Sequence, residues 1–209
     1  MMLKLPESDK EIERKILIAV SQEMNKRVKR NQGKIRRDFE KLISIWVRQS
    51  QEIQSLKSEA VQNTLNSEFG LVPGQGSILE DQIVESIVGS IQIEVQQFDS
   101  NLNGGISVYI QPTDFENLLG ITDGFIRSEN SPLHFLHWLL VEGDKILIVG
   151  YKYVPMIAGR SKGGIMRSKT GGSFRVKPEF AGTAENNFVT RAFDNRDRDV
   201  FKVLERVIK

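Results

Sequence analysis

The stretch GRSKGGIMRSKTGG, from Gly159 to Gly172, is glycine-rich, basic and free of carboxylates. Three kinds of chemistry suit that composition: cradling a phosphate, gripping a nucleic acid, or folding onto a partner protein. A phosphate-binding loop needs G-x-x-x-x-G-K-[ST] between a strand and a helix, so that backbone N–H groups and a lysine converge on the phosphates. Gly159 and Gly164 have the outer spacing, but Ile165 and Met166 stand where lysine and a hydroxyl residue are required. No helix signal follows, so the nucleotide reading is set aside.

Metal and nucleophile chemistry is equally thin. The chain has no cysteine, which removes disulfides, thiolate ligands and cysteine nucleophiles. His134 and His137, in HFLHW, are the only two histidines. On one helix face they would still need carboxylates such as Glu142 or Asp144 to complete a zinc site. A helix buried on its aromatic side explains them more simply. Neither lies near a G-x-S-x-G nucleophile elbow. Nothing in the sequence demands an enzyme, so no catalytic, cofactor-binding or metal residue is assigned and no cofactor is expected.

Charge speaks through its distribution. Lys and Arg number 29 against 27 Asp and Glu, a net charge of only +2. Yet residues 145–177 carry eight Lys and Arg and no carboxylate. Within the stretch opened above, Arg160, Lys162, Arg167 and Lys169 are the candidate partner contacts. A second cluster, Lys26, Arg27, Lys29, Arg30, Lys34, Arg36, Arg37 and Lys41, is opposed only by Asp38 and Glu40. Such clusters bind phosphate backbones through counterion release. No aromatic residues interleave with the loop's cations as a stacking platform would require, and no DNA-reading motif is present. A solvated helix face plus a loop that meets an acidic protein surface is the simpler reading. A soluble nucleic-acid-binding protein using the clusters at 26–41 and 145–177 is the alternative.

Periodicity supplies the elements that position these groups. Residues 7–68 read as an N-terminal helical segment. One stripe runs Ile12, Ile16, Val20, Met24, and another runs Ile35, Phe39, Leu42, Trp46, Ile53, Leu56, Ala60. Gly33 is the expected break between two helical pieces, because glycine costs about 1 kcal/mol inside a helix. Phe39 and Trp46 are expected on a buried face. Ser77 with Glu80 predicts a capping box, and Ile83, Val84, Ile87 and Val88 the buried face of its helix. IQIEVQQF and GISVYIQP alternate apolar and polar residues around DSNLNGG, a β-hairpin pattern. Thr113 and Glu116 suggest a second box opening a short helix. SPLHFLHWLLVEGD reads as a helix and KILIVGYKYVP as a strand bent at Gly150. The glycine-rich loop follows, expected to be disordered in the free subunit, then a short strand SFRVK and two closing helical segments. The order predicts an α+β fold: long N-terminal helices, then a small, mostly antiparallel sheet with flanking helices and a long basic loop. The 69–209 α+β core is expected to pack with the helical segment as one domain. The first residues lack the apolar stretch of a secretory signal, and no apolar run is long enough to span a bilayer.

Two blocks, LHFLHWLLVEGDKILIVGYKYVP (133–155) and PEFAGTAENNFVTRAFDN (178–195), resemble in layout the neck and tail-completion proteins of tailed bacteriophages. The matching closing positions are Gly182, Thr183, Phe188, Arg191 and Ala192. VQNTLNSEFGL (61–71) fits the same type. The chain departs from that pattern in its length and its strongly basic first helix. The resemblance implies a non-catalytic virion protein, assembled in the host cytoplasm. It would form a homo-oligomeric ring between portal and tail and touch other neck, tail or portal-adaptor proteins. Tail completion, tail terminator and another connector all stay open, as does non-specific contact with DNA in the channel. No membrane is implied. Phe188, Arg191 and Phe193 are the candidate subunit interface. Phe188 and Phe193 are expected to pack near Ile148 and Tyr151, and Arg191 to pair with a carboxylate of its own or a neighbouring subunit.

Overall fold

The structure, a computed structural model, describes residues 7–59, 62–109, 115–126, 133–155 and 163–208. Helix α1 (Asp9–Gln49) is continuous for 41 residues. Ser8 starts it: its backbone N–H donates to the Glu11 carboxylate (2.8 Å), while its hydroxyl accepts from the Glu11 N–H. Gly33 does not break the helix, contrary to the sequence expectation. It is exposed, and a Cβ there would meet nothing within 4 Å. A glycine whose only cost is conformational is carried by the turns on either side of it. The helix ends instead at Ser50, whose backbone turns to an extended conformation and whose hydroxyl donates to the Val47 carbonyl (2.8 Å).

Backbone contacts divide the chain into two compact units, and the division falls inside α1 rather than after residue 68. One unit holds residues 1–41, 91–109 and 195–209. In it β1 (Gln92–Gln96) and β2 (Gly105–Tyr109) form the expected antiparallel hairpin, with Ile93 opposite Val108 and Val95 opposite Ile106. Asp99 organises the turn. Its carboxylate accepts from the Asn101 and Asn103 N–H groups (2.8 and 2.9 Å), Asn103 having the larger effect in holding its carboxyl below the ordinary range. Asn25 of α1 brackets Phe98 with two bonds, Nδ2 to the carbonyl (2.9 Å) and Oδ1 from the N–H (2.8 Å). That amide pair satisfies backbone groups the hairpin leaves over.

The other unit holds residues 42–90 and 110–194. Its helices are α2 (Gln51–Lys57), α3 (Leu65–Phe69), α4 (Gln75–Gly89), α5 (Glu116–Leu119), α6 (Leu136–Leu140) and α7 (Phe188–Phe193). Two antiparallel pairs complete it: β3 (Phe125–Ile126) with β4 (Leu133–His134), and β5 (Ile148–Pro155) with β6 (Gly164–Phe174). Ile53, Leu56, Leu65, Leu79, Ile83, Ile87, Phe135 and Phe188 are fully buried. Phe69 stacks on Phe135 with ring centres 4.4 Å apart. Helix α8 (Asp197–Ile208) closes the chain in the first unit.

The α+β class is as expected, and the sheet is resolved more finely: three separate two-stranded ribbons among the described residues. Helix α4 begins earlier than its predicted box, at Gln75 after Gly74 in the left-handed region (φ 86°). Ser77 is therefore already inside the helix. Glu80 is drawn to cations instead, pairing with Arg48 (3.1 Å) and Lys57 (3.0 Å). Thr113 lies outside the described residues, and α5 follows Phe115 rather than a threonine cap. His134 belongs to a strand, and among the described residues of the predicted long helix only Leu136–Leu140 is helical. Among the described residues no helix is long and apolar enough to cross a membrane.

Candidate functional site

Most of the basic stretch 159–172 is a strand. β6 runs Gly164–Phe174 against β5, so the expected disorder of 159–172 is corrected for residues 164–172. Arg160 and Lys162 lie outside the described residues. Glycine and serine hide the strand in the sequence, but β5 pairs along it: Val154 faces Ile165 and Tyr153 faces Met166. Gly150 (φ 81°) sits at the register shift between Val149 and Tyr151, the predicted bend. The base of the ribbon is anchored. The Tyr153 hydroxyl donates to the Gly163 carbonyl (2.8 Å) and lies 2.9 Å from Ser67 Oγ.

The ribbon's outer part is free. Arg167 and Lys169 are both exposed, and Arg167 stands directly opposite Lys152. Like charges in that position repel. No ion pair with a described carboxylate relieves Lys152, Arg167 or Lys169. Val149 is 77% exposed and Tyr151 is also exposed on the same ribbon.

The closing segment is architectural throughout. A Cβ on Gly182 would sit 1.9 Å from the Leu139 carbonyl oxygen, so only glycine fits that approach. The Thr183 hydroxyl accepts from the Asn186 N–H (3.2 Å). Asn187, fully buried, caps α7 by accepting from Val189 and Thr190 N–H (3.0 and 3.1 Å), and its amide donates to the Thr183 carbonyl (2.9 Å). Phe188 has no exposed surface and cannot face a neighbour. Phe193 meets Trp46 edge to face with centres 6.0 Å apart. Arg191 donates through Nε and Nη2 to Glu52, the Nε contact at 3.1 Å, and through Nη1 to the Asn186 side chain (2.9 Å). Its carboxylate thus comes from its own chain. The candidate interface triad is in this way built into the core and its edge.

Sequence reasoning missed three buried carboxylates: Glu52 with Arg191, Glu68 with Lys177 (3.0 Å), and Glu80 with its two cations. Burial pushes the Glu68 carboxyl above its ordinary value, and Lys177 pulls it partly back. The signal was present for Glu80, which shares the apolar stripe of Ile83, Val84 and Ile87. A charge on such a stripe has to be paired.

His134, His137, Trp138, Glu142 and Lys145 line a shallow cleft of about 420 Å³. His134 Nε2 lies 2.6 Å from the Leu119 carbonyl, which can only accept, so the proton is on Nε2. Among the described residues Nδ1 is then a buried lone pair with no partner, and the Trp138 indole N–H likewise finds none. The His134 and His137 rings meet edge to face at 5.2 Å. Among the described residues no three potential ligands gather around a metal position. Burial, and secondarily the nearby His137, lowers the His134 pKa. The unfolded chain therefore binds this proton more readily than the folded one. The stability involved is complete above the unfolded pKa near 6.5 and is lost as the pH falls through it. Acidification from about pH 7 to 5 should lower the urea midpoint. His134→Gln can keep a donor toward Leu119 and should flatten that slope. Equal slopes in both proteins would show that His134 does not contribute to it.

The basic face of α1 is also placed. Lys26, Lys29, Arg30, Lys34, Arg36, Arg37 and Lys41 are exposed and Arg27 is half-buried. No family model matches the chain, and no curated protein or solved structure matches it either.

Proposed function

We propose that this chain is a structural virion protein, a subunit that closes into a ring in the neck or tail-completion region between a phage head and its tail. The observation that carries the reading is the β5–β6 ribbon. Among the described residues both its edges are unpaired and its Lys152–Arg167 pair has no carboxylate partner, and it carries the exposed apolar side chains Val149 and Tyr151. Free edges and apolar surface together mark a protein-binding element. Two copies of this ribbon would repel each other, because residues 145–177 carry only positive charge. A copy must therefore present it to a different, acidic surface of its neighbour. Contacts between unlike surfaces generate rings when the rotation closes. The resembling positions Gly182, Thr183, Phe188, Arg191 and Ala192 serve packing and capping, which suits a structural subunit.

The test is native mass spectrometry with particle imaging of the purified chain. A closed species of fixed copy number is expected. Val149→Lys should shift it toward monomer while changing folding stability by less than about 0.5 kcal/mol, since the side chain is exposed. A parent that stays monomeric up to its solubility limit, or a variant that assembles like the parent, would overturn the reading.

A further inference from the structure

The assembly reading leaves the basic face of α1 unused. At 3.6 residues per turn, Lys26, Arg30, Gly33, Lys34, Arg37 and Lys41 fall within roughly 100° of arc. Val28, Ile35 and Phe39, all buried, lie on the opposite side of the helix. The five cations thus form one row, about 22 Å long at 1.5 Å per residue. All five are exposed. None of them forms an ion pair with a described residue, whereas Arg27 and Arg36 on the flanks are engaged by Glu23 (3.0 Å) and Glu40 (2.9 Å). Gly33 sits in the middle of the row with open space where a side chain would be.

We infer that this row is a binding surface for the phosphate backbone of a nucleic-acid duplex, read without regard to sequence. A duplex carries about one phosphate per 1.7 Å of axis, so a 22 Å row of cations finds partners in any register. The gap at Gly33 lets the backbone approach the helix closely. The row bears no aromatic side chain: Phe39 and Trp46 are buried, so there is no platform for unpaired bases. It bears no apolar side chain either, which separates it from the mixed basic and apolar β5–β6 ribbon and argues against a protein partner. The inference stands whether or not the chain forms a ring.

The test is fluorescence anisotropy of the full chain against a labelled duplex of about 20 base pairs over a salt series. Neutralising four or five phosphates predicts a slope of log K on log salt near −4, or a loss on the order of 100-fold between 50 and 200 mM salt. Replacing Lys26, Arg30, Lys34, Arg37 and Lys41 together by glutamine, a good helix former, should bring the slope to about −1 or shallower. Should that variant fold poorly by circular dichroism, Arg30→Gln with Arg37→Gln should lower the slope by about 2. Arg27→Gln with Arg36→Gln, which removes charges already paired, should leave it nearly unchanged. A parent slope shallower than about −1 would overturn the inference. So would row variants that keep the parent slope, and so would poly-glutamate competing as well as duplex at equal charge, which would assign the row to an acidic protein. Single-stranded DNA binding more tightly than duplex would overturn the choice of a duplex.

Discussion

Trp46→Ala is expected to lower the unfolding free energy by about 3–5 kcal/mol. Trp46 sits near the end of α1, only 4% exposed, with its ring against Phe193 of α7. Truncation removes the transfer free energy of the indole. It also leaves a cavity that helices held by their own hydrogen bonds cannot collapse, and it strips the edge-to-face contact from Phe193. The neighbouring Ile45 is half exposed and serves as the internal control. Ile45→Ala should change stability by less than about 0.5 kcal/mol. Urea unfolding followed by circular dichroism reads both. A loss below about 1 kcal/mol for Trp46→Ala would mean that this face of the helix repacks freely.

The same helix illustrates how much of the fold was legible. Ile35, Phe39, Trp46, Ile53 and Leu56 were picked by their three-four spacing, and all are buried. That period reports a buried side only where another element covers it: on the stripe Ile12, Ile16, Val20, Met24 of the same helix, Ile16 and Val20 are exposed. It missed the width of the face: Ile43 and Val47 are fully buried while Leu42 is only half so. The departures from expectation at Gly33 and Ser77 have one cause: the surroundings outweigh local propensity. At Gly33 nothing approaches, so the helix simply continues. At Glu80 two cations from other helices outcompete a local cap. The glycine-rich segment failed for a related reason. A strand is specified by its partner as much as by itself, and the poorly alternating β6 is held in register by its pairing along β5. The hairpin β1–β2 was legible because both of its strands alternate. Of the buried carboxylates only Glu80 leaves a sign, its place on an apolar stripe; Glu52 and Glu68 leave none, because their cations lie far away in sequence: Arg191 is 139 residues from Glu52.

That long-range pair carries the last prediction. Arg191→Ala is expected to destabilise the folded chain by about 2–3 kcal/mol, not merely to weaken contacts between copies. The Glu52 side chain is 4% exposed and the Arg191 side chain 35%. Removing the guanidinium strands a buried carboxylate without its counter-charge. The expected cost stays below the roughly 3–5 kcal/mol of a fully buried pair because solvent reaches the arginine and screens part of the attraction. Arg191→Lys should recover only part of the loss. An ammonium cannot reach both Glu52 and the Asn186 side chain with the fixed fork that Arg191 uses. Glu52→Gln combined with Arg191→Ala should be less harmful than the sum of the single changes, with a coupling of about 1–2 kcal/mol, since the uncompensated charge is gone. Equilibrium unfolding of the four proteins at neutral pH measures that cycle. Additive changes, or an Arg191→Ala variant within about 0.5 kcal/mol of the parent, would reduce Arg191 to a solvated surface charge.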